Sequence, residues 1–102
     1  MCNTRSTGKT ESILSFPLGR IVATPGALEA LEHAAINAMD LIQRHQSGDW
    51  GNVPPSDAEE NDKSVANGWR ILSSYVISDD QNLWIITEAD RSVTTLLLPE
   101  EY

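Results

Sequence analysis

The stretch Leu83 to Pro99, LWIITEADRSVTTLLLP, sets two apolar runs on either side of the charged tetrad Glu88-Ala89-Asp90-Arg91. Short runs this rich in Ile, Val and Thr form strands, and a polar tetrad between two of them is where the chain turns back. Upstream, Trp69, Ile71, Ser73, Tyr75 and Ile77 recur at every second position, so they share one face of a further strand. Asp79-Asp80-Gln81-Asn82 supplies the turn that leads into Leu83–Thr87. With Ser92–Leu98 as the last strand, the C-terminal third reads as an antiparallel meander.

The N-terminal part follows a different period. In FPLGRIVATP, Leu18, Ile21 and Val22 suit a short strand, and Pro17 and Pro25 confine it to a sheet edge. Thr24 is placed as a helix N-cap and Pro25 at the first helical position, where its missing N–H costs nothing. Leu28, Leu31 and Ala35 follow at helical spacing. Asn37-Ala38-Met39-Asp40 has the form of a capping box, which favours two helices with a break near Asn37 over one helix from Pro25 to Gln46; both remain open. GDWGNVPPSD is loop, anchored by Trp50 on the core. Ser56 and Glu59 suggest a second capping box, opening a third helix that Gly68 ends, with Ala58, Val65 and Ala66 on its apolar side.

The expected class is therefore α+β: an antiparallel sheet of three to four strands, the meander Trp69–Leu98 plus an edge strand Leu18–Val22, with two to three helices packed on one face. The 102 residues suit a single domain, here 16–102, and residues 1–15 are polar enough to read as a flexible tail. Hydrophobic residues make up 40%, enough for a core, and no apolar run reaches the ~20 residues of a membrane span. No apolar leader opens the chain, so the expectation is a cytoplasmic protein, a monomer or weak homodimer.

Several chemistries are disfavoured. Cys2 is the only cysteine, which excludes an internal disulfide and a cysteine-rich zinc site. Gly8-Lys9-Thr10 lacks the glycine five residues earlier, where Asn3 stands, so it is not a phosphate-binding loop. His33 and His45 have no companions at metal-ligand spacing; His33 belongs on the solvent side of its helix, and His45 near a helix C-terminus, where a positive imidazole suits the dipole. Neither a metal nor another cofactor is expected. Fifteen acidic against seven basic side chains give a net charge of −8, a poor match for nucleic acid.

Two surfaces remain as candidates. Glu88, Asp90 and Arg91 form a weak catalytic cluster, an acid and base pair with an anion-steering cation, which the GDWG loop could supplement with Asp49. The plainer reading is a turn in which Asp90 bonds an amide two residues on and Arg91 pairs loosely with Glu88. Asp57, Glu59, Glu60 and Asp62 lie along the third helix and suit a basic protein partner, and imitation of DNA to inhibit a host defence protein is a variant of that reading. The same carboxylates also serve helix dipole and solubility alone.

Four blocks, FPLGRIVATPGALEAL, RHQSGDWG, NGWRILSSY and WIITEADRSVTTLLLPEEY, together resemble a family of small uncharacterised proteins often labelled plasmid-related and associated with bacterial plasmids and integrated mobile elements. The resemblance spans Phe16 to Tyr102. It implies an accessory protein of such an element acting through protein contacts, and carries over no catalytic residue. The family pattern also implies a glycine-containing break around Ile36, where this chain has none.

Overall fold

A computed structural model of the protein describes residues 16–102. The expected tail and Cys2 lie outside the described residues. The element order is β1 (Arg20–Ala23), α1 (Pro25–Ala34), α2 (Ala38–Gln46), α3 (Pro55–Asn67), β2 (Ile71–Ser78), β3 (Gln81–Thr87) and β4 (Val93–Leu97), followed by a short 3-10 turn at Pro99–Glu101. The four strands form one sheet in the order β1-β4-β3-β2.

β2, β3 and β4 are the antiparallel meander, with Tyr75 opposite Leu83 and Thr87 opposite Thr94. β1 corrects the expectation of a purely antiparallel sheet. It lies at the edge as anticipated, but runs parallel to β4, with Ile21 beside Thr94 and Ala23 beside Leu96. The reason is the connection: α1, α2, α3 and β2 all intervene before the meander begins to return, and a long crossover permits the parallel sense that a tight hairpin forbids.

The break between the first two helices is real. Thr24 caps α1, its Oγ1 accepting from the Ala27 amide at 3.0 Å. Ala35 then turns left-handed (φ 57°), and its amide and that of Ile36 return to the Glu32 and Leu31 carbonyls. This is where a glycine usually stands, and Ala35 performs its task at some steric cost. Asn37 starts α2, its Oδ1 accepting from the Met39 amide at 2.9 Å. α3 departs from the expectation: Ser56 is not its cap. The helix begins at Pro55 behind Pro54, with no side-chain capping bond, because proline preorganises the first turn without one. Gly68 ends it in the left-handed region, as anticipated.

α1 and α2 cover one face of the sheet. Ala27, Leu31, Leu41 and Ile42 meet Tyr75, Ile77, Leu83, Ile85 and Leu96 in the larger apolar cluster. Burying each Leu or Ile there contributes about 1.5–3 kcal/mol. A smaller cluster of Phe16, Trp50 and Ile71 lies on the same face, with Leu18, Val53, Ala58 and Val65 packed against it. Trp50 thus anchors its loop, and its Nε1 donates to Asp62 at 3.0 Å. Trp69 does not join the inward row with Ile71; it precedes β2 and is 47% exposed.

Candidate functional site

The tetrad is a turn whose business lies with the backbone. Asp90 accepts from the Ser92 amide at 3.0 Å, and the bonds from Ser92 hold its carboxyl below the ordinary carboxylate range. Arg91, left-handed at φ 59°, does not pair with the Glu88 carboxylate. Its guanidinium donates to the carbonyls of Trp69 (2.7 Å), Ser64 (2.9 Å) and Glu88 (3.0 Å) and rests over the Phe16 ring at 5.6 Å. A cation at the last carbonyls of α3 suits the negative end of that helix, and five rigid donors let one side chain tie α3, the entry to β2 and the turn together. Glu88 is half-buried, whereas Asp90 is exposed. Asp49 is elsewhere: its carboxylate pairs with Arg44 at 2.7 Å, and its carbonyl accepts from the Tyr75 hydroxyl at 2.6 Å. Tyr75 faces Leu83, at the far end of β3 from the tetrad, roughly 13 Å along the strand.

On α3 the carboxylates of Asp57, Glu59, Glu60 and Asp62 are exposed. The side that meets the sheet is polar instead. Asn61 and Ser64 are its buried residues, with Ala58 and Val65 half-buried and Ala66 exposed. Asn61 presents its amide to the outer edge of β2, donating to the Leu72 carbonyl at 2.7 Å and accepting from the Leu72 amide at 3.2 Å. A side-chain amide carries the same donor and acceptor as a peptide group, so Asn61 substitutes for one residue of a missing neighbouring strand. Two residues along, the loop continues the pairing: the Trp50 carbonyl accepts from the Ser74 amide at 3.1 Å, and the Asn52 amide donates to the Ser74 carbonyl. Gly51 between them sits at φ 75°, so close to the Ser74 carbonyl and the Tyr75 ring that no Cβ fits.

Neither histidine behaves alike. His33 is exposed on α1, while His45 is fully buried, so its place near a helix C-terminus is not that of a surface cation. Its Nδ1 lies 2.6 Å from Ser73 Oγ and its Nε2 2.8 Å from Thr87 Oγ1. Thr87 Oγ1 is in turn 2.8 Å from Thr94 Oγ1, which donates to the Leu18 carbonyl at 2.7 Å. Ser73, Thr87 and Thr94 are also fully buried. Phe16 and Trp50 stand edge-on to the imidazole at centroid distances of 5.3 and 5.9 Å. Burial, and then the positive charge of Arg91, lower the imidazole to about 4. The sequence alone places Ser73, Thr87 and Thr94 in strands and assigns their hydroxyls no role; the signal was their inward parity on three strands, which obliges each to find a polar partner.

Two open hollows lie elsewhere among the described residues. One, of about 240 Å³, is lined by Arg44, Gly51, Asn52, Tyr75 and Val76; the other, of about 220 Å³, by Ala30, His33, Ala34, Ser78 and Gln81. Neither contains a member of the tetrad or of the buried histidine chain. Among the described residues no three His, Cys or acidic side chains gather at metal-binding geometry, and no helix is long and apolar enough to cross a membrane. No family model, curated protein or solved structure matches the chain.

Proposed function

We propose that the protein is an accessory binding protein of a bacterial plasmid or other mobile element, acting in the cytoplasm by docking the outward face of α3 onto a basic protein. The observation that carries this reading is the division of labour on α3. Its anchoring is done by Asn61 and Ser64, which leaves Asp57, Glu59 and Glu60 exposed, while Asp62 holds Trp50 and so fixes the helix against the body. Carboxylates carried on a fixed helix raise the encounter rate with a basic surface more than they raise affinity. Nucleic acid is disfavoured as a direct partner by the same charge.

The test begins with partners captured from a bacterial host and proceeds to association rates with the purified candidate. The rate is expected to fall as added salt shortens the screening length from roughly 10 Å at 0.1 M to about 3 Å at 1 M. It is also expected to fall in a Glu59→Lys, Glu60→Lys variant. A rate unchanged by both would remove α3 from the interface, and a clear mobility shift with duplex DNA at low salt would overturn the choice of a protein partner.

A further inference from the structure

We propose that Ser73, His45, Thr87 and Thr94 form a one-way hydrogen-bond chain that fixes His45 as its neutral Nε2–H tautomer and makes the ring an acid-sensitive latch between α2, the sheet and the Phe16–Leu18 segment. The direction of the chain follows from its far end. The Leu18 carbonyl can only accept, so the single proton of Thr94 Oγ1 is committed to it. Thr94 must then accept from Thr87, which commits the Thr87 proton. With nothing left to give, Thr87 Oγ1 accepts from His45, and Nε2 carries the hydrogen. In a neutral ring Nδ1 is then an acceptor, and the Ser73 hydroxyl donates to it. Every proton has one place.

A second ring proton breaks this order. Nδ1–H would point at a Ser73 hydroxyl already turned toward it, so Ser73 would have to rotate away from the ring toward the Tyr75 phenol beside it, inside a fully buried site. The charge would have no carboxylate to meet. From α2, Arg44 is engaged with Asp49; from β2, the neighbouring phenol is Tyr75, which burial keeps neutral up to about 12; from the β3–β4 turn comes the Arg91 cation. From the loop and from the N-terminal segment come only the aromatic edges of Trp50 and Phe16, and the Asp62 carboxylate of α3 is held on the indole of Trp50. β3 and β4 contribute only the hydroxyls of Thr87 and Thr94.

The sign of the pH effect follows. The folded ring stays neutral down to about 4, whereas the unfolded ring takes up a proton near its ordinary value of 6.5. Stability is therefore fully present above 6.5 and falls as the pH drops toward 4, because the unfolded state binds the extra proton. Asp49, Asp90 and Glu101, whose folded values are lowered, act at more acid pH, so the window from 6.5 to 5 reports on the histidine.

The experiment combines ring-nitrogen NMR with denaturation of the full chain. At pH 7 the His45 ring is expected to show a protonated Nε2 and an unprotonated Nδ1, and an Nδ1–H tautomer or a charged ring would overturn the proposal. The unfolding midpoint is expected to fall between pH 6.5 and 5, with faster amide exchange in α2. Both changes should vanish in His45→Gln, whose side chain can accept from Ser73 and donate to Thr87 without titrating. A flat wild-type profile, or an equal slope in His45→Gln, would overturn the latch. Should that variant not fold, Thr94→Val keeps the histidine but removes the end of the chain. Thr87 is then free to donate to the ring, and an Nδ1–H population should appear, absent again in Thr94→Ser. A pure Nε2–H tautomer in Thr94→Val would refute the one-way order.

Discussion

The two edges of the sheet are finished in different ways. β2 is eight residues long, and its outer backbone groups at Leu72 and Ser74 are met by the Asn61 amide and by the Trp50–Asn52 segment. β1 has four residues. Arg20 and Thr24 donate inward to the Ser92 and Leu96 carbonyls, so the alternation of the ladder turns the amides of Ile21 and Ala23 outward. A long edge strand invites pairing with other chains and needs cover, whereas brevity is itself a defence. The comparison teaches that α3, so sparing in apolar contacts, is retained on the body largely by the polar duty it performs for β2.

The comparison is broken most severely by removing the cover. Asn61→Leu leaves the amide and carbonyl of Leu72 without partners at a buried position, and the loss expected in denaturant unfolding is about 2–4 kcal/mol, with self-association at high concentration. A stability within 0.5 kcal/mol of the parent would mean that the edge needs no cover. The opposite edge is probed by proline. Val22→Pro removes the bond to the Thr94 carbonyl, while Ile21→Pro removes only an outward amide, so the second variant should be more stable than the first by about 1 kcal/mol. Equal losses would show that the outward amide of Ile21 is in use. Away from both edges, Ala35→Gly relieves a left-handed alanine and should raise stability by about 0.5–1 kcal/mol, less than the full steric relief because glycine also loosens the unfolded chain. The smallest effect is expected at the tetrad: Glu88→Gln should change stability by no more than about 0.5 kcal/mol in the same assay.

Much of this architecture was legible because it is local. Alternation at Ile71, Ser73, Tyr75 and Ile77 gave the face of β2, and Thr24-Pro25 and Asn37 gave the starts of two helices, since each signal acts within a few residues. The sense of β1 was not legible, because four residues of strand carry no mark of which neighbour they will choose. The histidine chain was half legible. Leu41, Ile42 and His45 fall on one helical face, and Ser73, Thr87 and Thr94 on inward strand positions, yet their meeting depends on register across three strands. The Arg91 contacts were misjudged for another reason: a charged neighbour was assumed to seek a carboxylate, when the unpaired carbonyls at the end of α3 were the more demanding acceptors.

The closing turn of the chain bears on the order in which the protein takes shape. Glu101 Oε1 accepts from the Thr24 hydroxyl at 2.6 Å and from the Leu98 amide at 2.8 Å, and the Glu101 carboxylate lies where a Cβ on Gly26 would point. The residue that begins α1 is thus completed by one lying 77 positions further on. β3 reaches its neighbours on both sides through short turns, whereas β1 and the Thr24–Glu101 clasp wait for the whole chain to close upon itself, the slowest kind of contact to establish. During synthesis β1 leaves the ribosome first and has no strand to join until β4 has emerged. The meander is expected to assemble ahead of it, and the N-terminal strand to be the last piece laid into the sheet.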